Sequence, residues 1–492
     1  MARAQGRRAA PVDPYRIFFV VGMLLLVLMA FMLPPMLADL IRDNRDWEVF
    51  AGSALVTGFS GLMLVLVSRD AWSERVSLKE GFLLTVASWV TISLFATIPY
   101  LFLESGMGFA DAWFEAVSGL TTTGSTVLSG LDGMPPGILL WRSLTQWIGG
   151  VGIVVMALIM LPFLKVGGMQ LFQTESSDRS DKIVPQARQF IGLIAMAYVL
   201  LTAACAAAYR LAGMTTYDAV NHALTTLSTG GFSTHDASMG FFSSPVIHWI
   251  ATTFMFLASL PMVLYVRAAK EGRLSVFADR QVIGFLRILA TIIILLTFWR
   301  IFARGTEPFT ALREVAFNVV GIVSTTGYAL GDFTTWGAFA SAAFFALMFL
   351  GGCTGSTAGG MKVFRLQVMA LATRAYLKRL ASPHRIVTIA YEGRTITHEI
   401  AMSVFAFVSA LFVTVLLCSV LVALAGVDFT TAFSASVTAV TNVGPGIGPI
   451  IGPAGNFSSL PDVVKIVLAF AMLLGRLEFF TVLVVLSPGF WR

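Results

Sequence analysis

The sequence predicts an all-α polytopic membrane protein, with two N-terminal helices followed by four helix–pore-loop–helix repeats arranged pseudo-fourfold around one pore. Three observations predict this fold: the composition, the lengths of the apolar runs, and a fourfold recurrence of one short motif. Of the 492 residues, 57% are hydrophobic and only 12% are charged, whereas an average soluble domain is about 25% charged. A chain of this composition is predicted to lie mostly in lipid.

Ten apolar runs are candidates for crossing the roughly 30 Å hydrocarbon core of a bilayer. They fall near 17–36, 49–68, 81–103, 138–163, 190–212, 245–267, 282–303, 336–351, 398–426 and 462–487. The first run follows Arg3, Arg7 and Arg8 and has no small-residue cleavage site, so it is interpreted as a retained helix.

Basic residues set the predicted orientation. They concentrate before the first run and after the second, fourth, sixth and eighth, most densely between 362 and 394. With ten spans, all of these loops lie on one side, whereas the opposite side keeps few basic residues, such as Arg42, Arg45 and Arg304. Both termini are therefore predicted to be cytoplasmic.

Four shorter, half-apolar segments lie between these runs, and each ends in a cluster of threonine, serine and glycine. They fall near 109–128, 216–232, 309–328 and 428–446. Segments of this length cannot cross a bilayer, and irregular backbone at membrane depth is tolerated only where protein shields it or where it lines a watery path. The four segments therefore predict re-entrant loops around one path.

The four segments are copies of one motif. Aligned on a key glycine, they read FEAVSGLTTTG (114–124), VNHALTTLSTG (220–230), FNVVGIVSTTG (317–327) and SASVTAVTNVG (434–444). The glycines recur at intervals of roughly 100 residues, which indicates an internal repeat. The predicted units are two leading helices at 1–70 and repeats at 71–168, 169–276, 277–395 and 396–492.

These residue types suit a filter for a dehydrated monovalent cation. Backbone carbonyls in an extended loop can replace the water shell of potassium, and glycine adopts backbone angles closed to other residues. No carboxylate directly precedes any of the four glycines, whereas a divalent ion would be held more strongly by a fixed charge. The alternative is small-residue helix packing, but such motifs recur within spans and not at the ends of short segments between them.

Three stretches carry a resemblance to a known family: TTTGST with STGGFST, STTGY with NVGPGIGP, and GGCTGSTAGGMK. They resemble the Trk, Ktr and HKT superfamily of potassium transporters, and within it the TrkH/TrkG membrane subunits of bacterial uptake systems. The resemblance implies a potassium filter formed by Thr122, Thr123, Gly124, Ser228, Thr229, Gly230, Thr325, Thr326, Gly327, Asn442, Val443 and Gly444. The fourth repeat departs from the others, because Asn442 and Val443 stand where a threonine pair is usual.

The segment GGCTGSTAGGM at 351–361 interrupts the third repeat, after a run from 336 that is too short to cross. Its five glycines disfavour a helix by roughly 1 kcal/mol each. The resemblance implies an intramembrane gate, with residues Gly351, Gly352, Gly355, Ser356, Thr357, Gly359 and Gly360. The alternatives are a passive kink and a phosphate-binding loop, but the latter requires G-x-x-x-x-G-K-[ST] after a strand.

Arg476 lies inside the last apolar run, where an arginine is expected to face water or a partner. We expect it to point into the pore and to oppose cation passage, and the resemblance described above implies an arginine at this position beside the gate; the alternative is an ion pair with Glu478 or another buried acid. Arg142 and Lys465 lie nearer the ends of their runs and are expected to snorkel to the interface. His222 is expected to have a packing or hydrogen-bonding role.

The resemblance also implies partners and a location. These are potassium as substrate with no covalently bound cofactor, a cytoplasmic TrkA-like nucleotide-binding ring docked on loops such as 362–396, a homodimer, and a bacterial inner membrane. No feature indicates nucleic acid. A membrane-embedded enzyme would need clustered His, Asp or Glu, and an alternating-access transporter usually has two inverted halves with paired broken helices, whereas this sequence shows one clear break. Channel-like flow and coupled symport both remain open.

Overall fold

A computed structural model describes residues 12–71, 77–103, 106–160, 183–273, 278–384, 387–391 and 394–491. Its helices are α1 Pro14–Ile41, α2 Trp47–Ser68, α3 Leu78–Ala96, α4 Ile98–Leu101, α5 Phe109–Leu120, α6 Pro136–Met160, α7 Ile183–Leu211, α8 Thr216–Leu227, α9 Pro245–Ala258, α10 Met262–Glu271, α11 Arg280–Arg304, α12 Pro308–Val323, α13 Ala338–Leu347, α14 Val363–Ala381, α15 His398–Leu424, α16 Phe429–Thr441, α17 Asp462–Arg476, α18 Phe479–Leu486 and α19 Pro488–Trp491. Strands β1 Ala390–Tyr391 and β2 Arg394–Thr395 form one antiparallel pair, in which Ala390 faces Thr395. Arg3, Arg7, Arg8 and the predicted repeat boundaries at 168/169 and 276/277 lie outside the described residues.

All ten predicted apolar runs form helices. Within the described residues, six helical spans are long and apolar enough to cross a membrane, namely α1, α2, α3 with α4, α7, α11 and α15. The run near 138–163 forms α6, which has 25 residues. The run near 336–351 forms only α13, which has 10 residues and is too short to cross, as predicted.

The remaining two runs are bent, which corrects the prediction of a single broken span. The axes of α9 and α10 meet at 88°, and those of α17 and α18 at 108°. Pro261 precedes the first turn of α10, where a proline fits without losing a helical hydrogen bond. Between α17 and α18, Glu478 has a φ of 63°, which ends one helix before the next begins.

The four predicted re-entrant segments form the short helices α5, α8, α12 and α16. They contain between 12 and 16 residues, and therefore extend about 18–24 Å at 1.5 Å per residue, less than a bilayer core. Three begin at side chains that accept backbone hydrogen bonds, Thr215, Glu307 and Asp428. Their C-terminal halves are buried almost throughout, as expected for helices surrounded by protein.

These short helices are arranged in a closed circle. Each packs against the helix that follows it and against the helix that completes the preceding repeat, so that contacts run in the order α5, α6, α8, α9, α12, α13, α16, α17 and back to α5. The contact between α13 and α16 includes Phe345 and Phe433, whose ring centroids are 5.4 Å apart. The C-terminal ends of four short helices therefore meet around one axis, and their negative dipole ends converge there.

Candidate functional site

The four loops that follow the short helices share one backbone conformation. Each has a non-glycine residue with positive φ and, two positions later, a glycine with positive φ. The pairs are Thr122 (53°) with Gly124 (85°), Thr229 (54°) with Gly231 (77°), Thr325 (59°) with Gly327 (73°), and Asn442 (56°) with Gly444 (106°). Threonine is an outlier in this region because its side chain is β-branched. Such strain persists where the surroundings determine the backbone, and it is found most often at functional sites.

This register corrects the sequence alignment of the second repeat. Gly230 has no positive φ, and the counterpart of Gly124 is Gly231. The amides of Thr123, Gly230 and Val443 each donate to the carbonyl five residues earlier, at 2.9, 2.9 and 3.1 Å, so that Gly230 is the counterpart of Thr123. The second loop contains two consecutive glycines, and the alignment used the first of them. Aligning the Ser-Thr pair that precedes them would have selected the second.

The four positive-φ glycines close a ring of contacts between loops. A Cβ atom on each one would meet the carbonyl oxygen of the residue before the corresponding glycine in the next loop. The pairs are Gly124 with Gly230, Gly231 with Thr326, Gly327 with Val443, and Gly444 with Thr123. The order passes through all four repeats and returns to the first. Only glycine fits these positions, because they require both positive φ and the absence of a side chain.

The ring is surrounded by protein and borders a cavity at one end. The predicted filter residues that flank the glycines are all buried, at 0–1% exposure: Thr122, Thr123, Ser228, Thr229, Thr325, Thr326, Asn442 and Val443. A cavity of about 80 Å³ lies against the four positive-φ glycines and is also lined by residues that follow them, such as Phe232 and Pro445. One water needs roughly 10–15 Å³, so this vestibule can hold a cation with part of its water shell.

A buried ion pair connects the first two loops, which corrects the expectation for Arg142. Its guanidinium lies 2.8 Å from Glu115, and both side chains are at most 1% exposed. Arg142 also donates to the Ser233 carbonyl at 3.0 Å and to Thr126 at 3.1 Å, and Glu115 accepts from the Val127 amide at 3.0 Å. Because Glu115 lies on α5 and Ser233 in the second loop, Arg142 holds the two loops together.

Lys465 does not snorkel either. Its ammonium lies 2.5 Å from Asp111, and its side chain is 4% exposed. His222 has the hydrogen-bonding role that was expected, because its ring nitrogens lie 2.9 Å from the Asp218 carbonyl and 3.0 Å from the Ser233 hydroxyl.

The segment at 351–361 lies against the opposite end of the ring. The Gly359 amide donates to the Thr325 hydroxyl at 2.6 Å, and the Gly360 amide donates to the Thr441 carbonyl at 2.8 Å. The Thr357 hydroxyl donates to the Leu227 carbonyl at 3.1 Å. These partners precede the glycines of the second, third and fourth loops, whereas the vestibule is lined by the glycines and residues after them. The segment and the vestibule are therefore on opposite sides of the ring.

The same segment is held by the bend between α9 and α10. The Cys353 amide donates to the Ser259 carbonyl at 2.9 Å, and the Met262 amide donates to the Gly355 carbonyl at 3.0 Å. Within the segment, the Gly351 amide donates to the Met361 carbonyl at 2.9 Å. A phosphate-binding loop leaves its amides free for the ligand, whereas these amides bond to protein carbonyls.

The other predicted gate residues also lie in contact with their own segment. A Cβ on Gly352 would meet Ala358 at 2.8 Å, and the Ser356 hydroxyl donates to the Cys353 carbonyl at 2.6 Å. The whole segment is therefore compact as well as tied to its neighbours.

Arg476 contacts the segment and not Glu478. Its Nη1 donates to the Thr357 carbonyl at 3.0 Å, and the residue is 4% exposed. Within the described part of the chain, its Nε and Nη2 have no hydrogen-bond partner. Glu478 pairs instead with Arg365, at 2.6 Å, so the predicted alternative of an Arg476–Glu478 ion pair is wrong.

At the vestibule, an aspartate that follows each of the first two loops bonds to the residues that follow the other loop. Asp236 accepts from the amides of Gly130 and Leu131 at 3.0 and 3.1 Å, and Asp132 pairs with the His235 ring. Burial lowers the pKa of His235, but the Asp218 and Asp132 carboxylates outweigh it, so the pKa lies above the ordinary 6.5. The hydrogen bond with His235 holds the pKa of Asp132 below 3.8.

The pair of Asp132 and His235 predicts that the stability of the protein depends on pH. Protonated His235 contributes fully below pH 6.5, and its contribution is lost as the pH rises through the raised pKa. Asp132 contributes above pH 3.8, and its contribution is lost as the pH falls through the lowered pKa. Because the Asp132 side chain is 50% exposed, we expect only about 0–1 kcal/mol. Melting temperatures from about pH 5 to 8 should fall at the alkaline end, and His235→Asn should flatten that dependence. An unchanged profile in the variant would contradict the assignment.

Comparisons with known proteins identify the family. The profile of the TrkH family, described as "Cation transport protein", matches residues 48–489. The chain is 45% identical to the Trk system potassium uptake protein TrkI of Halomonas elongata, over 99% of this chain and 98% of that protein. It is 35% identical to the Trk system potassium uptake protein TrkH of Escherichia coli, over 96% and 98% of the two chains. The crystal structure of the potassium transporter TrkH from Vibrio parahaemolyticus superposes with a TM-score of 0.90 at 34% identity and covers 98% of this chain and 100% of that one. The chain therefore belongs to the TrkH family of cation transport proteins, a family of transporters and not of enzymes.

Proposed function

We propose that this chain is the potassium-translocating membrane subunit of a Trk-type uptake system. The observation that carries the proposal is the closed ring of four loops, in which each positive-φ glycine faces a carbonyl oxygen of the next loop. Converging carbonyls replace the water shell of a monovalent cation, and the relatives named above are potassium uptake proteins.

The proposed filter consists of the predicted residues with Gly231 added as the second corner. Its members are Thr122, Thr123, Gly124, Ser228, Thr229, Gly230, Gly231, Thr325, Thr326, Gly327, Asn442, Val443 and Gly444. Potassium is the substrate, and the vestibule is the side from which it enters. The fourth loop uses Asn442 in the same left-handed conformation as the threonines, which asparagine tolerates better.

The experiment that tests this function is potassium uptake in bacteria that lack their own uptake systems, followed by rubidium uptake into liposomes that contain the purified protein. Growth on low potassium and potassium-inhibited rubidium uptake are expected. Uptake that is indifferent to competing potassium would contradict the proposal.

The segment at 351–361 is the proposed gate, closed by contacts with the ring and with Arg476. Its residues Gly351, Gly352, Gly355, Ser356, Thr357, Gly359 and Gly360 either bond to neighbours or approach backbone too closely for a side chain. In this arrangement Arg476 places a positive charge beside the ion path.

We expect Arg476→Ala to raise cation flux. Two like charges repel by about 4 kcal/mol at 4 Å and by about half that at twice the distance, at an effective dielectric constant of about 20, so the increase should be at least about tenfold. Rubidium flux into liposomes measures it. Arg476→Lys keeps the charge and should stay near the wild-type rate, whereas Arg476→Gln should resemble alanine. Equal flux in all four proteins would remove Arg476 from the gate.

The proposed setting follows the family resemblance and the charge distribution. The chain lies in a bacterial inner membrane with cytoplasmic termini, forms homodimers, and is controlled by a cytoplasmic TrkA-like nucleotide-binding ring. The basic end of α14, with Lys378 and Arg379 exposed, supports docking on the loop at 362–396. The repeat boundaries at 70, 168, 276 and 395 are part of this proposal.

The described residues contain three broken spans and not one, namely the two bent pairs and the run that ends with α13, and this makes ion-coupled symport with alternating access a second candidate mechanism. The reversal potential distinguishes it from channel-like flow. If an imposed proton or sodium gradient shifts the potassium reversal potential, transport is coupled; if the gradients have no effect, potassium flows alone.

A further inference from the structure

Gln146 holds the second loop at the corner where the sequence contains two glycines. It lies on α6 and is fully buried. Its Nε2 donates to the Gly230 carbonyl at 2.7 Å, and its Oε1 accepts from the Phe232 amide at 3.1 Å. A backbone amide can only donate and a carbonyl can only accept, so the two contacts fix the orientation of the side-chain amide. The side chain therefore brackets Gly231 from both sides.

Gln146 also occupies the space that a side chain at position 230 would need. A Cβ on Gly230 would overlap the Gln146 amide group. The corresponding positions in the other loops are occupied by Thr123, Thr326 and Val443, which have side chains of their own. Gly230 and Gln146 are thus complementary: the glycine leaves room, and the glutamine fills it from a neighbouring helix.

The Gly230 carbonyl oxygen is one of a layer of carbonyl oxygens in the ring, each of which lies against a positive-φ glycine of a neighbouring loop. Four oxygens form this layer, those of Thr123, Gly230, Thr326 and Val443. In the part of the chain that the structure describes, only the Gly230 oxygen accepts a hydrogen bond from a side chain. The four oxygens are therefore not equivalent, although the backbone that carries them is nearly fourfold.

We infer that Gln146 is a positioning residue for ion selection, which fixes the direction of the Gly230 carbonyl and weakens its field at the ion. A carbonyl oxygen has two lone pairs, and the amide of Gln146 takes one of them. Discrimination between potassium and sodium depends on the number, field strength and freedom of the coordinating carbonyls. An oxygen without this donor binds a small ion more strongly and moves more freely towards it, so the loss of Gln146 should favour sodium. The inference rests on the proposed function.

The test compares Gln146→Met with Ser143→Ala in the purified, full-length protein in liposomes. Methionine has a similar length and no donor. Ser143 lies on the same helix and is 2% exposed, and among the described residues its hydroxyl bonds only within α6, to the Leu139 carbonyl, so it controls for the loss of a buried hydrogen bond. The potassium-to-sodium permeability ratio from bi-ionic reversal potentials should fall roughly threefold to tenfold in Gln146→Met, the factor that corresponds to one neutral hydrogen bond. It should stay at the wild-type value in Ser143→Ala.

A second pair of variants tests the inference if Gln146→Met does not fold. Gly230→Thr alone should yield little monodisperse protein, because its side chain overlaps Gln146. Gly230→Thr combined with Gln146→Ala removes the overlap and should recover folding, but its permeability ratio should stay as low as that of Gln146→Met, because the carbonyl at position 230 still lacks the donor. An unchanged permeability ratio in folded Gln146→Met, a wild-type ratio in the folded double variant, or a double variant that folds no better than Gly230→Thr would overturn the inference. A wild-type protein without potassium selectivity would instead overturn the proposed function.

Discussion

Arg142→Met is expected to destabilise the protein by about 3–5 kcal/mol, because it leaves the carboxylate of Glu115 buried without a partner. Glu115 is fully buried, and Arg142 is its partner at 2.8 Å. The substitution also removes the donors to the Ser233 carbonyl and to Thr126, so the first two loops lose one of their connections. Uptake should be lost together with stability. The measurement is the thermal midpoint of the detergent-solubilised protein, followed by size-exclusion chromatography.

The double variant Glu115→Gln with Arg142→Met should recover part of this loss. It removes both charges, while the glutamine oxygen can still accept from the Val127 amide, as Glu115 does. Arg267→Met is the matched control, since Arg267 pairs with Glu271 on the surface and its side chain is 51% exposed. Exposed pairs contribute about 0–1 kcal/mol, so this control should melt near the wild type. A single variant no less stable than the double would show that the buried charge is not what destabilises it.

Gly231→Ala is expected to abolish potassium uptake, with a fall of at least about tenfold. Its Cβ would overlap the Thr326 carbonyl oxygen, and the third loop would have to move to relieve that overlap. The left-handed conformation itself costs a non-glycine residue roughly 1–2 kcal/mol, which is a separate effect. Rubidium uptake into liposomes, normalised to the amount of folded protein, measures the change.

Gly213→Ala separates the two effects. Gly213 has a φ of 106°, and a Cβ there would meet no atom within 4 Å. Alanine at this position is therefore destabilising only through its unfavourable backbone conformation. Uptake should stay near the wild type in Gly213→Ala and be lost in Gly231→Ala. Equal losses in both variants would assign the effect to backbone strain and not to the ring.

The sequence predicted most of the fold because helices in lipid follow from hydropathy. All ten apolar runs and all four short segments form helices within a few residues of their expected positions. The circle of repeats was predictable because the copies retain a glycine and hydroxyl-bearing side chains. The bend at Pro261 could have been predicted, because a proline interrupts that apolar run. It was missed because the run was judged by its apolar length alone.

The missed features depend on contacts between residues far apart in the chain. The two consecutive glycines of the second loop permit two registers, and only the backbone angles of Gly230 and Gly231 decide between them. Glu115 and Arg142 are 27 residues apart, and hydropathy does not indicate that they meet behind the loops. Arg476 lies against the segment at 351–361, whereas Glu478 pairs with Arg365, and α18 turns away from α17.

The most direct test of the central claim is the reversal potential of the protein in liposomes with potassium on one side and sodium on the other. A ring of glycine-bearing loops that selects potassium predicts a wild-type value close to the potassium equilibrium potential. It also predicts that Gly124→Ser, whose side chain would overlap the Gly230 carbonyl, shifts the value towards zero. If Gly124→Ser retained the wild-type reversal potential at measurable flux, the four-loop ring would not be the filter.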